Sequence, residues 1–190
     1  MHIKEKLQTF CKELKSHSLQ TVETVESIEV VSCGYKHGHT PPESGWEPLN
    51  CLYGAHRHYW LRFSFRTPSA TPGTELVLEC ATGVKGWDAN NPQGLLYLND
   101  QMIQGLDINH NEAFLEPDTQ YQGYAYMYSA ALADPFPFSV CVLRRYTEVD
   151  GLYYDLLTPL GGAGAAEPQH HRVHADPHPF GAGGGHGRHP

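Results

Sequence analysis

Residues 58–66 read HYWLRFSFR, and their parity decides the fold. Tyr59, Leu61, Phe63 and Phe65 occupy alternate positions, with His58, Arg62, Ser64 and Arg66 between them. A period of two places the first set on one face of a β-strand and the second on the other, so the strand is half-buried and needs a second layer to cover it. Working outward, comparable runs recur at short intervals: ELVLECA (75–81), GLLYL (94–98), QMIQ (101–104), EAFLE (112–116), YAYMYSA (124–130) and FSVCVLRRY (138–146). The turn clusters TPSATPGT, NNPQG, EPD and DPFP lie between them. Short strands with no helical pattern between them predict an all-β fold, an antiparallel two-sheet sandwich or jelly roll, rather than a parallel α/β sheet.

Both ends of the chain break this pattern. Ile3, Leu7, Phe10 and Leu14 recur at helical spacing while Lys4, Glu5, Lys12, Glu13 and Lys15 fill the remaining positions, which predicts an amphipathic helix over 2–17 whose apolar stripe must dock on something. The last residues, GGAGAAEPQHHRVHADPHPFGAGGGHGRHP, hold too few aliphatic side chains to offset the entropy of ordering, so disorder is expected there. The expected organisation is an N-terminal helix in 1–20, a β-sandwich in 21–160 and a Gly/Ala/His/Pro-rich tail in 161–190.

The 190 residues suffice for one domain with a substantial core. Thirteen Lys and Arg against 21 Asp and Glu give a net charge of -8, which repels phosphate backbones and anionic lipid; neither nucleic acid nor membrane is an expected partner. Five cysteines (Cys11, Cys33, Cys51, Cys80 and Cys141) form no C-x-x-C pair, and their odd number suits a reducing compartment. The start MHIKEKLQTF carries no apolar secretory core, no apolar run is long enough to span a bilayer, and there is no N-x-S/T sequon. A cytoplasmic protein is expected.

Each candidate chemistry in the sequence has a plainer counterpart. His37/His39 and His56/His58 are His-x-His pairs, and His56 and His58 could present two imidazoles to one metal if a strand begins there, but neither pair has a third ligand at a fitting spacing. Asp88, Asp100, Asp107 and Glu112 could supply the two carboxylates of a glycosidase, yet Asp100 sits where a turn favours Asp and Asp107 lies at a strand end. No cysteine has a neighbour that would activate it, and Cys80 and Cys141 read as small core residues. A sugar-reading surface is the sharper idea. It would draw on Trp46, Trp87, Tyr124, Tyr126 and Tyr128, with Trp87, Asp88, Asn90, Asn91, Asp107, Asn109 and His110 gathered on one loop edge. The plainer expectation is that Tyr124, Tyr126 and Tyr128 fill the core face of a strand. In NNPQGLLYLNDQMIQGLDINHN (90–111), Asn99-Asp100 is expected to reverse two strands whose Leu96, Leu98, Met102 and Ile103 feed the core.

WLRFSFRTP (60–68), ELVLECATGVKGWDANNPQGLLYLNDQMIQGLDINHNEAFLE (75–116) and LYYDLLTPL (152–160) together resemble the N-terminal β-sandwich domain of glycoside hydrolase family 38 α-mannosidases, the cytosolic, bacterial and fungal branch above all. The resemblance runs from about Trp46 to Leu160, with NPQGLLYLN and QGLDINH its most specific parts. It implies a galactose-binding-like jelly roll that precedes a catalytic domain holding a divalent, zinc-type metal. None of that family's nucleophile, acid/base or metal residues has a matching position here, and His174, Asp176 and His178 do not reproduce its metal-binding start. The chain alone is therefore expected to hold no cofactor and to be catalytically inert, the tail being read as a truncated or frame-shifted end. The implied partners are the mannosidase catalytic domain or other subunits of the parent enzyme, where Leu152, Leu156 and Leu157 would cover the partner's apolar surface. The alternative is a stand-alone carbohydrate-binding module that takes mannose-containing oligosaccharides.

Overall fold

The computed structural model describes residues 3–35, 40–84 and 91–161. Helix α1 (Ile3–Ser18) leads into strands β1 (Leu19–Thr24), β2 (Ile28–Cys33), β3 (Glu47–Pro48), β4 (His58–Arg66), β5 (Thr74–Ala81), β6 (Gln93–Leu98), β7 (Gln101–Leu106), β8 (Glu112–Leu115), β9 (Gln120–Tyr128) and β10 (Ser139–Tyr146). A second helix, α2 (Thr147–Gly161), follows directly. One sheet has the order β1-β10-β5-β8 and the other β3-β2-β4-β9-β6-β7, and every pairing is antiparallel. From β4 onward the chain crosses from one sheet to the other after each strand or hairpin. That alternation is the jelly-roll topology, with β2 and β3 added at one edge. The expected all-β jelly roll with a leading helix is what forms.

The parity of 58–66 holds: Tyr59, Leu61, Phe63 and Phe65 are all buried. They meet Leu78, Val140 and Val142 of the facing sheet and Leu96, Ala125 and Met127 of their own, in one cluster between the two sheets. Each large aliphatic side chain buried this way contributes about 1.5–3 kcal/mol, the main favourable term holding the layers together.

Three expectations need correction. Residues 147–160, expected within the sandwich, belong to α2, which packs against α1 on the outer side of the four-stranded sheet. Between the helices and that sheet Cys11, Val77, Leu143 and Tyr153 are buried, outside the main cluster. The face of α1 turned inward is half-buried Leu7, buried Cys11, half-buried Leu14 and buried Ser18, while Ile3 is 79% and Phe10 44% exposed. The buried stripe is thus rotated from Ile3 and Phe10 towards Cys11 and Ser18, and Lys15 lies on the α2 side, its ammonium 5.1 Å from the Tyr153 ring centre and 5.8 Å from that of Tyr154. Third, Met102 is 63% and Ile103 42% exposed, whereas Leu96 and Leu98 are buried as expected. A register shift opposite Leu96/Tyr97 breaks the alternation of β7, and β7 is an edge strand. The tail from residue 162 lies outside the described residues, and no described helix is long and apolar enough to cross a membrane.

Candidate functional site

Of the residues assigned to the loop edge, Trp87, Asp88 and Asn90 lie outside the described residues. Asn91 is buried beside Pro92, just ahead of β6. Asp107, Asn109 and His110 come together in the turn between β7 and β8. There the Asp107 Oδ1 accepts the backbone N–H of Asn109 at 2.7 Å and of His110 at 2.8 Å, and the His110 Nδ1 lies 3.0 Å from both carboxylate oxygens. Partial burial pushes the Asp107 pKa up, but the hydrogen bonds from the His110 ring and the two backbone amides outweigh it and hold the carboxyl below its ordinary range. The carboxylate is committed to its own turn. It stands at the rim of a cleft of about 150 Å³ at the open end of the sandwich, otherwise lined mainly by apolar groups such as Cys80, Pro92, Leu106 and Phe138.

The other carboxylates also have local duties. Asn99 and Asp100 take φ values of 49° and 65°, the left-handed pair that a two-residue hairpin turn requires. Asn99 further ties the hairpin to β9, its side-chain oxygen accepting the Gln122 N–H at 2.9 Å. Glu112 is ion-paired with Arg145 across the four-stranded sheet.

The tyrosines of β9 do not fill the core face. That face is Tyr121, Gly123, Ala125 and Met127, and Tyr124, Tyr126 and Tyr128 point to the outer side of the six-stranded sheet. Register places Tyr128 beside His58, Tyr126 beside Trp60 and Tyr124 beside Arg62 on β4, with Tyr97 of β6 next to Tyr124 on the other flank. The rings touch in sequence: His58–Tyr128 at 4.8 Å between centres, Trp60–Tyr126 at 5.3 Å and Trp60–Tyr97 at 5.5 Å. Trp46, from the loop before β3, closes one side at 6.3 Å from Tyr124, its ring 4.6 Å from the Arg62 guanidinium. Both parities of QYQGYAYMY carry aromatics, so hydropathy alone does not choose between them. The usable signal is the pairing of this strand with HYWLRFSFR, whose outer parity already carries His58 and Trp60.

The two histidines belong to this face. His56 has φ 56° in the turn before β4, so it is not strand-paired with His58, and β4 begins only at His58. The His56 Nδ1 is hydrogen-bonded to the Tyr128 hydroxyl at 2.7 Å, and the His58 Nδ1 to that of Tyr126 at 2.6 Å. Burial lowers the His58 pKa, keeping its imidazole neutral at neutral pH. Among the described residues no three His, Cys, Asp or Glu side chains gather as a metal ion would need. All five cysteines are free thiols; burial pushes the Cys80 thiol up and out of nucleophilic range. Cys141 is only half-buried, on the helix side of β10, and is not the core residue expected.

No protein-family model and no curated protein matches this chain. The solved structures similar in shape include two complexes of one enzyme. A β-glucuronidase from Ruminococcus gnavus in complex with D-glucaro 1,5-lactone aligns with a TM-score of 0.44 and 10% identity over 67% of this chain and 30% of that one. A β-glucuronidase from Ruminococcus gnavus in complex with a C6-substituted uronic isofagomine aligns with a TM-score of 0.41 and 11% identity over 67% of this chain and 29% of that one. The chain thus spans under a third of the length of either, and likeness at this level carries nothing about function.

Proposed function

We propose that this chain acts as an ancillary domain of a glycoside hydrolase, the N-terminal sandwich of a family 38 α-mannosidase, bracing a catalytic domain and its subunit contacts in the cytoplasm. One observation supports this reading above others. Within the hairpin that carries the resemblance, Met102 and Ile103 are left in solvent on an edge strand that the domain's own core does not cover. Large apolar side chains on an unpaired edge suit burial against a partner. Phe114, 60% exposed on β8, is a further exposed ring on the outer side of the other sheet, and the two edges are linked where the Gln104 Nε2 donates to the Glu112 carbonyl at 2.9 Å. Hydrolysis of α-mannosides and the zinc-type metal would belong to the catalytic domain, not to these residues.

The proposal is tested on the purified chain. The purified chain is expected to bind an apolar dye and self-associate, and Met102→Glu with Ile103→Glu should suppress both. A chain that stays monomeric at high concentration and ignores the dye defeats the interface.

A further inference from the structure

We propose that the outer face of the six-stranded sheet is a binding platform for neutral oligosaccharide chains, with Trp46, Tyr97, Tyr124 and His58 as its contact residues. This goes beyond the bracing role and rests on different side chains, that role on Met102 and Ile103 of the β7 edge and this one on the rings of the sheet face, where Met102 is the cross-strand neighbour of Tyr97.

The argument begins with what an exposed sheet face ordinarily carries, which is small or charged side chains. Here it carries a continuous aromatic surface. Trp60, fully buried at 0% exposure, forms the floor, and Tyr97, Tyr124, Trp46 and His58 are half-buried around it. Side chains with an apolar body and a polar tip suit a ligand that is itself part C–H face and part hydroxyl.

The rings are also held in place. The Tyr126 hydroxyl is tied to the His58 Nδ1 and that of Tyr128 to the His56 Nδ1. The Trp46 Nε1 donates to the Pro42 carbonyl at 3.1 Å, and the Arg62 guanidinium beneath it is fixed by two bonds to Glu29, at 2.6 and 3.0 Å. Three aromatic side chains, Tyr126, Tyr128 and Trp46, are thus oriented before any ligand arrives, which lowers the entropy that binding must overcome.

Charge selects the ligand class. Arg62 is neutralised by Glu29, His58 is held neutral, and the chain carries -8 overall. Among the described residues that form this platform none carries an uncompensated positive charge for an acidic polysaccharide, and a neutral glycan meets no electrostatic penalty.

The test uses the full 190-residue chain with mannotriose, cellotriose and soluble mannan, read by tryptophan fluorescence and by retardation in mannan-containing native gels. Wild type should respond to at least one probe. Tyr124→Ala and Trp46→Ala, each checked by its melting curve, should weaken binding about tenfold or more, with Phe114→Ala unchanged; should Tyr124→Ala fail to fold, Trp46→Ala decides. No wild-type response to any probe overturns the proposal, as does binding that survives in the folded variants. Self-association lost in Tyr124→Ala without any glycan response overturns it in favour of a protein interface on this face.

Discussion

Single atoms set the tolerance of the sandwich. Gly94 lies in β6 opposite Met127, and a Cβ at that position would stand 2.6 Å from the Tyr126 carbonyl oxygen, with the Met127 sulfur closer still. The methionine could swing aside, but the carbonyl is fixed in the central ladder. Gly94→Ala should therefore destabilise the protein by about 1–3 kcal/mol, lowering the denaturant midpoint with the slope unchanged. Glu79 behaves in the opposite sense. Its pKa is raised, first by burial beneath the helices and then by Glu112 directly opposite on β8, with Lys15 only partly compensating. Because the folded pKa exceeds the ordinary 4.5, the fold loses stability as pH rises from there through the folded value. Glu79→Gln should be more stable than wild type at neutral pH, by roughly 0.2–1 kcal/mol for a relieved like-charge pair, and the advantage should vanish below about pH 4. Equal melting temperatures at pH 7 would count against this account.

Helix α2 shows how an element can hide in its sequence. TEVDGLYYDLLTPLG contains Gly151, Pro159 and two adjacent tyrosines, so propensity argues against a helix and only packing on α1 and β10 selects one. A Cβ at Gly151 would meet nothing within 4 Å. Gly151→Ala should accordingly stabilise the protein by about 0.5–1 kcal/mol, measured as a rise in melting temperature; a fall would mean that α2 is not helical at this point. Strands β4 to β10 were legible because each shows a run of apolar residues bounded by turn residues. Strands β1 and β2 were not singled out, since LQTVET and IEVVSC mix half-buried and exposed positions without clean alternation. Two facing assignments failed for different reasons. In β7 a bulge shifts the parity after Met102, and in β9 small core residues, Gly123 and Ala125, sit opposite Phe63 and Leu61, so that the larger tyrosines take the outer side. In the loop edge, Asp107 and His110 are three residues apart in sequence, but their mutual hydrogen bonds follow only from the turn's geometry.

At the scale of the molecule, the four-stranded sheet serves two apolar layers. Its inner side feeds the main cluster through Leu78, Val140 and Val142, and its outer side packs Val77 and Leu143 beneath Cys11 and Tyr153. The two layers differ in size and in composition. The inner one is built almost wholly of aliphatic and aromatic side chains, while the outer one shares its space with Lys15, Glu79, Glu112, Arg145 and Asp150, and the Arg145 Nε stands 3.9 Å from Asp150 Oδ2 without a hydrogen bond. A small layer that also shelters charge has less to lose on opening, so the helix pair should open before the sandwich does. Native-state hydrogen exchange should show amides of α1 and α2 exchanging at a lower free energy than those of β4, β9, β5 and β10. Tyr153→Ala removes the largest side chain of the outer layer and should widen that gap by speeding the helical amides by about tenfold or more, while leaving the central strands nearly as protected as in wild type. If the strands lose protection in step with the helices, the two layers form one cooperative unit and the outer face of β5 and β10 depends on the helices for its stability.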